Sequence, residues 1–158
     1  MLDGGPQPGY GLLHGTRQAT LPRMAADPDC VFCRIVAGEQ PAERVAEDER
    51  TIAFLDADPA TPGHAVVIPR EHAAGLDAIA DEDLAAVAQA ARRLAIAMRE
   101  RLGADGVNLV RPRDADGEAA HLQVHVIPRN HGDALRLPWV SEPGDRDEIE
   151  ATARELAG

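Results

Sequence analysis

A chain of 158 residues, 44% hydrophobic and 27% charged, is long enough for one domain with its own core and too short for two ordinary ones. A formal charge of -11, with all 16 basic residues arginine, excludes the clustered cationic groove that nucleic acid requires. No apolar run approaches the roughly 20 residues of a membrane span, and Leu12-Leu13 is too brief for a signal-peptide core, so the expected compartment is the cytoplasm.

Residues 1–23 are rich in glycine and proline (Gly4-Gly5-Pro6-Gln7-Pro8-Gly9) and lack periodicity, which predicts a disordered or loosely packed tail. Met24 opens the organised part and is a candidate start, and residues 24–158 are expected to form a single domain. Ile35 to Gly38 suits a short helical turn. Arg44–Glu47 and Thr51–Leu55 are expected to pair as a hairpin around Asp48-Glu49-Arg50. Pro59, Pro62 and Gly63 break the chain, and His64–Pro69 reads as a third strand, with His64 a structural residue at its start. Asp81-Glu82-Asp83 opens one long helix, where the helix dipole favours acid, and Gly103 ends it. Leu84, Val87, Ala91, Leu94, Met98 and Leu102 recur at spacings of three and four and define its apolar stripe. Val107–Val110 and His121–Ile127 complete the strands, and Asp145 is placed to cap a last short helix to Leu156. An antiparallel sheet with one long helix on a face is an α+β domain.

The last strand carries chemistry. His121-Leu122-Gln123-Val124-His125-Val126-Ile127 alternates strictly, and alternate side chains in a strand share a face at intervals of roughly 7 Å. Leu122, Val124 and Val126 therefore point to a core, while His121, Gln123 and His125 line the other side. Alternation alone favours a half-exposed strand with two ordinary histidines over a site. A second signal is Cys30-x-x-Cys33. In a reducing compartment that spacing points to metal or redox chemistry before a structural disulfide. A thioredoxin-like dithiol would open the helix of a βαβ unit, and the pattern contains no such unit.

Taken together, several blocks resemble the histidine-triad (HIT) family. His121-Leu122-Gln123-Val124-His125-Val126-Ile127-Pro128-Arg129 is similar to its signature, in which three histidines alternate with apolar residues. Cys30–Ile35 with Gly38-Glu39 and Pro41-Ala42, Phe54-Leu55-Asp56, Pro62-Gly63-His64 and Val67–His72 resemble its other segments, in family order. The resemblance implies a HIT-like fold, with a five-stranded antiparallel sheet, one long helix and short N- and C-terminal helices. It also implies a purine nucleotide pocket and cleavage at an α-phosphate, in which the middle histidine attacks phosphorus and water hydrolyses the nucleotidyl-histidine. His125 would donate to phosphate or leaving-group oxygens, and Asp56 would accept from the ribose hydroxyls. By the same resemblance, structural zinc would be held by Cys30, Cys33, His72 and His121. A homodimer is the family expectation, with Trp139 in a segment that can lie near the partner's pocket.

The chain departs from the family at two places. Gln123 stands where the nucleophilic histidine belongs, and a carboxamide nitrogen, its lone pair delocalised into the carbonyl, cannot form a phosphoramidate. The loop Asp114-Ala115-Asp116-Gly117-Glu118-Ala119-Ala120 puts three carboxylates where the family brings small residues to the phosphate, with Arg111 and Arg113 to offset them. Gln123 and His125 are thus the candidate catalytic pair, and activity itself stays open. The favoured reading is a nucleotide-binding protein that has lost covalent transfer. The alternatives are a hydrolase or transferase in which Gln123 orients a water, and an enzyme of specialised metabolism that kept the fold and metal.

Overall fold

The structure, a computed structural model, describes residues 26–112, 121–136 and 142–157. The expected N-terminal tail, the acidic loop 114–120 with Arg113, and Trp139 lie outside the described residues. Two compact units divide the chain; residues 26–136 belong to the first described here, and the C-terminal helix belongs to the other.

Helix α1 (Val31–Ala37) begins at Cys30, whose sulfur accepts the amide of Cys33, and stops at Gly38 in the left-handed conformation (φ 78°). It is longer than the expected turn, because the N-cap at Cys30 starts it four residues before Ile35. Strands β1 (Arg44–Glu47) and β2 (Thr51–Leu55) form the expected hairpin. Asp48 Oδ1 holds the turn by accepting from Arg50 N at 3.0 Å, Thr51 N at 2.8 Å and Thr51 Oγ1 at 3.0 Å. Strand β3 (Ala65–Pro69) follows, then helix α2 (Asp81–Leu102), β4 (Gly106–Val110) and β5 (Val124–Arg129). All pairings are antiparallel, and the sheet order is β1-β2-β3-β5-β4. The architecture is the expected α+β one.

Strand alternation sorts the apolar residues into two cores, one on each face. Ala53, Ala65, Val67, Leu122 and Val126 pack with Val87, Ala90, Ala91 and Met98 of α2. Ile52, Phe54, Val66 and Ile68 pack with Ile35, Phe32 and Val36 of α1. The helical stripe holds at Val87, Ala91 and Met98, but Leu102, the last residue before the Gly103 cap, is 60% exposed. Asp83 is buried instead, because Arg50 of the hairpin turn meets its carboxylate at 2.6 Å. In the C-terminal unit, α3 (Arg146–Ala157) is capped as expected by Asp145, which accepts from Asp147 N and Glu148 N.

Strand β5 starts at Val124, three residues after the expected His121. Its pairing with β3 ends at Val67↔Val124, and upstream of that Leu122 N is diverted to Ala73 O at 2.6 Å. Side-chain alternation nevertheless continues through this segment. Leu122 lies in the α2-side core, and His121 stacks against Phe32 on the α1 side with ring centroids 5.6 Å apart.

Candidate metal centre and nucleotide pocket

Four expected ligands converge. Cys30 and Cys33 present their sulfurs from the first turn of α1, His72 lies three residues beyond β3, and His121 precedes β5. The Leu122-to-Ala73 backbone bond brings the two histidines side by side, with rings 5.2 Å apart and nearly perpendicular. Cys33 Sγ is 3.2 Å from His72 Nδ1 and 3.7 Å from His121 Nδ1, and Cys30 Sγ is 3.5 Å from His121 Nδ1. A tetrahedron built with Zn–S of about 2.3 Å and Zn–N of about 2.0 Å has S···N edges of about 3.5 Å. The observed spacings therefore match the edges of a tetrahedral site. His121 Nε2 lies 3.0 Å from Pro69 O, a group that can only accept, so Nε2 carries the proton and Nδ1 turns its lone pair to the sulfurs. All four residues are buried. Burial pushes the Cys33 thiol up and the His121 imidazole down, which favours the neutral form of each.

A second cluster forms on the same face of the sheet, where Asp56 follows β2, His64 precedes β3 and His125 sits in β5. His125 pairs with Val66 in register, which puts it beside His64 two positions away on the same face. His64 Nε2 and His125 Nδ1 are 2.7 Å apart, and Asp56 Oδ2 lies 3.6 Å from the first and 3.5 Å from the second. Asp56 is held in place by donating its own amide to His64 O and by accepting from Asp58 N at Oδ1. Burial lowers the affinity of both imidazoles for a second proton; for His125 the neighbouring His64 adds to this, and Asp56 opposes it at both. Gln123 is half-buried between the two clusters, on the His121 and His125 face by alternation. A large apolar cavity of about 750 Å³ lies elsewhere, on the α2 face beside Ala53, Ala65, Leu94 and Met98, and none of these polar residues lines it.

The sequence profile of the HIT domain matches residues 37–132. The chain belongs to the HIT family. It is 34% identical over 131 residues to an adenosine 5'-monophosphoramidase of Schizosaccharomyces pombe, covering 81% of this chain and 96% of that protein. The fold matches a HIT-family protein from Bacillus subtilis with a TM-score of 0.73 and 30% identity, covering 82% of this chain and 95% of that one. It also matches a Zn-bound histidine triad family protein from Mycobacterium smegmatis, with a TM-score of 0.64 and 38% identity over 82% of this chain and 93% of that one.

His64 is the one site residue that sequence reasoning set aside as structural. Its signal was available: in β3 the even-numbered residues 66 and 68 face α1, so His64 belongs to the face that bears His125. What sequence lacked was the β3–β5 register that puts the two rings together.

Proposed function

We propose that this HIT protein binds a purine nucleotide or nucleotide derivative on the α1 face and has lost covalent nucleotidyl transfer. The Asp56–His64–His125 cluster, with a carboxamide at position 123 beside it, is the observation that carries this reading. In this reading Asp56 recognises the ribose, its Oδ2 being within reach of a diol while Oδ1 serves the backbone. Gln123 and His125 contact the phosphate. The kinship with an adenosine 5'-monophosphoramidase supports adenosine as the nucleoside.

Zinc is proposed as a resident structural ion on Cys30, Cys33, His72 and His121. Bound there, it supplies a cross-link between α1 and the sheet and takes no part in the chemistry. Support comes from the tetrahedral spacing, the Pro69 partner of His121 and the Zn-bound relative.

Hydrolysis of adenosine 5'-phosphoramidate by the natural protein beside Gln123→His tests the reading. The natural protein is expected to be silent and the variant to turn over, since only the nucleophile separates them. Turnover by the natural protein would instead support direct attack by a water that Gln123 orients. Silence of both would mean that the pocket serves another ligand.

A further inference from the structure

The two-histidine, one-carboxylate composition of the second cluster looks like a metal site, with its three donor atoms within 4.8 Å of one another. One backbone hydrogen bond decides otherwise. Ala60 N–H donates to His64 Nδ1 at 3.0 Å. An amide nitrogen can only donate, so Nδ1 presents its lone pair and the proton of His64 sits on Nε2. A cation would need the lone pair of that same Nε2. The first cluster is built the other way round, with a carbonyl holding the His121 proton away from the sulfurs.

The constraint passes to the next ring. With its proton on Nε2, His64 donates across 2.7 Å to His125 Nδ1. His125 therefore accepts at Nδ1 and carries its own proton on Nε2, an atom with no hydrogen-bond partner among the described residues. Asp56 is the competing group, since its Oδ2 lies 3.5 Å from His125 Nδ1 and would favour a proton there. Such a proton would face the His64 Nε2–H, two donors at 2.7 Å. Moving the His64 proton to Nδ1 would only transfer the clash to Ala60 N–H. Among the groups around this pair, the fixed amide thus determines both tautomers.

We propose that His64 is a positioning residue that locks His125 as a neutral hydrogen-bond donor through Nε2. The phosphate contact itself belongs to the proposed function; the lock adds that His125 meets that oxyanion only as a neutral donor. Locked in this way, His125 is not the imidazolium a general acid needs, and its lone pair is not available to a water. Gln123 adds a second neutral donor on the same face. Two neutral donors suit an acceptor-only group and offer no base to activate an attack on it. In Gln123→His the restored imidazole is one whose protonation His64 does not govern. The proposal rests on the nucleotide reading only for which oxyanion binds.

Long-range ¹H–¹⁵N correlation spectra of the zinc-loaded, ¹⁵N-labelled protein at pH 6.0–7.5 read each ring directly. The expected result is a bare Nδ1 and a protonated Nε2 for both His64 and His125 across that range. A protonated Nδ1 on His125, or an imidazolium there at pH 6.0, would overturn the proposal. In His64→Leu the lock is removed, and His125 is expected to take a proton at Nδ1 against Asp56, whereas His64→Gln, which donates an N–H from a similar place, restores the native pattern. An unchanged His125 tautomer in a folded His64→Leu would also overturn it; should that variant not fold, the spectra of the natural protein still decide. Adenosine 5'-monophosphate added to the natural protein is expected to shift the His125 Nε2 resonance. Locked tautomers with no response to this nucleotide would uphold the lock and sink the nucleotide reading instead.

Discussion

Replacing Cys33 by alanine removes one of four buried donor atoms and, with the proposed zinc bound there, the clip that joins α1 to the sheet. The clip spans 39 residues from Cys33 to His72 and 91 from Cys30 to His121. Treated as a covalent cross-link closing loops of those lengths, it restricts the unfolded chain by about 4 kcal/mol. The same magnitude follows from linkage, because a ligand held only by the folded state at about a thousand times its Kd stabilises by about 4 kcal/mol. Helix α1 has seven residues, too few to persist alone. Besides the clip it is held by Ile35, whose burial contributes about 2 kcal/mol, by the partly buried Phe32 and Val36, and by Arg44 Nη2 donating to Ile35 O at 2.6 Å. For a chain of this size, about 4 kcal/mol corresponds to a fall in Tm of roughly 10–15 °C. Circular-dichroism melts of the natural protein before and after chelation, with metal content measured alongside, give the comparison. The natural protein is expected to carry about one zinc per chain and to lose that stability on chelation, while Cys33→Ala starts at the lower Tm and ignores the chelator. Zinc below about one-tenth equivalent, or a chelated Tm within about 2 °C of the starting value, would refute the reasoning.

Acid is expected to destabilise the fold through His64 and His125. Their folded-state affinities for a proton are lowered, chiefly by burial, so the unfolded chain binds protons more readily than the folded one. The resulting stability is complete above the unfolded pKa of about 6.5 and is lost as pH falls from there towards the folded values. Melts at pH 7.5 and pH 5.0 should show a smaller acid-induced fall in a His64→Gln/His125→Gln double variant; an equal fall would refute this. Gly63→Ala is expected to cost about 1–2 kcal/mol in urea denaturation, because residue 63 sits at φ 88° and an added Cβ would meet Leu102 Cδ1 at 2.7 Å. A variant as stable as the natural protein would mean that the turn before His64 tolerates a side chain without strain.

Much of this protein is local in origin and so was readable from sequence. The hairpin limits Arg44–Glu47 and Thr51–Leu55 follow from two short strand-forming runs on either side of the polar Asp48-Glu49-Arg50, where the short Asp48 carboxylate satisfies the turn amides. The α2 limits follow from acid in its first turn and Gly103 at its end. Cys30, Cys33, His72 and His121 were nameable as a set only through family resemblance, since no local pattern links residues 39 to 91 positions apart.

Tertiary structure decided the rest. The register of β3 against β5 turned His64 from a strand-start residue into the neighbour of His125, a relation between segments 61 residues apart. The diversion of Leu122 N to Ala73 shortened β5 and set His121 beside His72. Asp83, an ordinary first-turn acid by sequence, became buried because Arg50 arrives from the hairpin. Above all, single backbone groups, the carbonyl of Pro69 and the amide of Ala60, put the proton of both His121 and His64 on Nε2, which points away from the sulfurs in the first cluster and towards His125 in the second. Sequence determines which side chains are available. Whether a ring turns its lone pair or its proton to the cluster depends on the main-chain donor or acceptor that folding places against its other nitrogen.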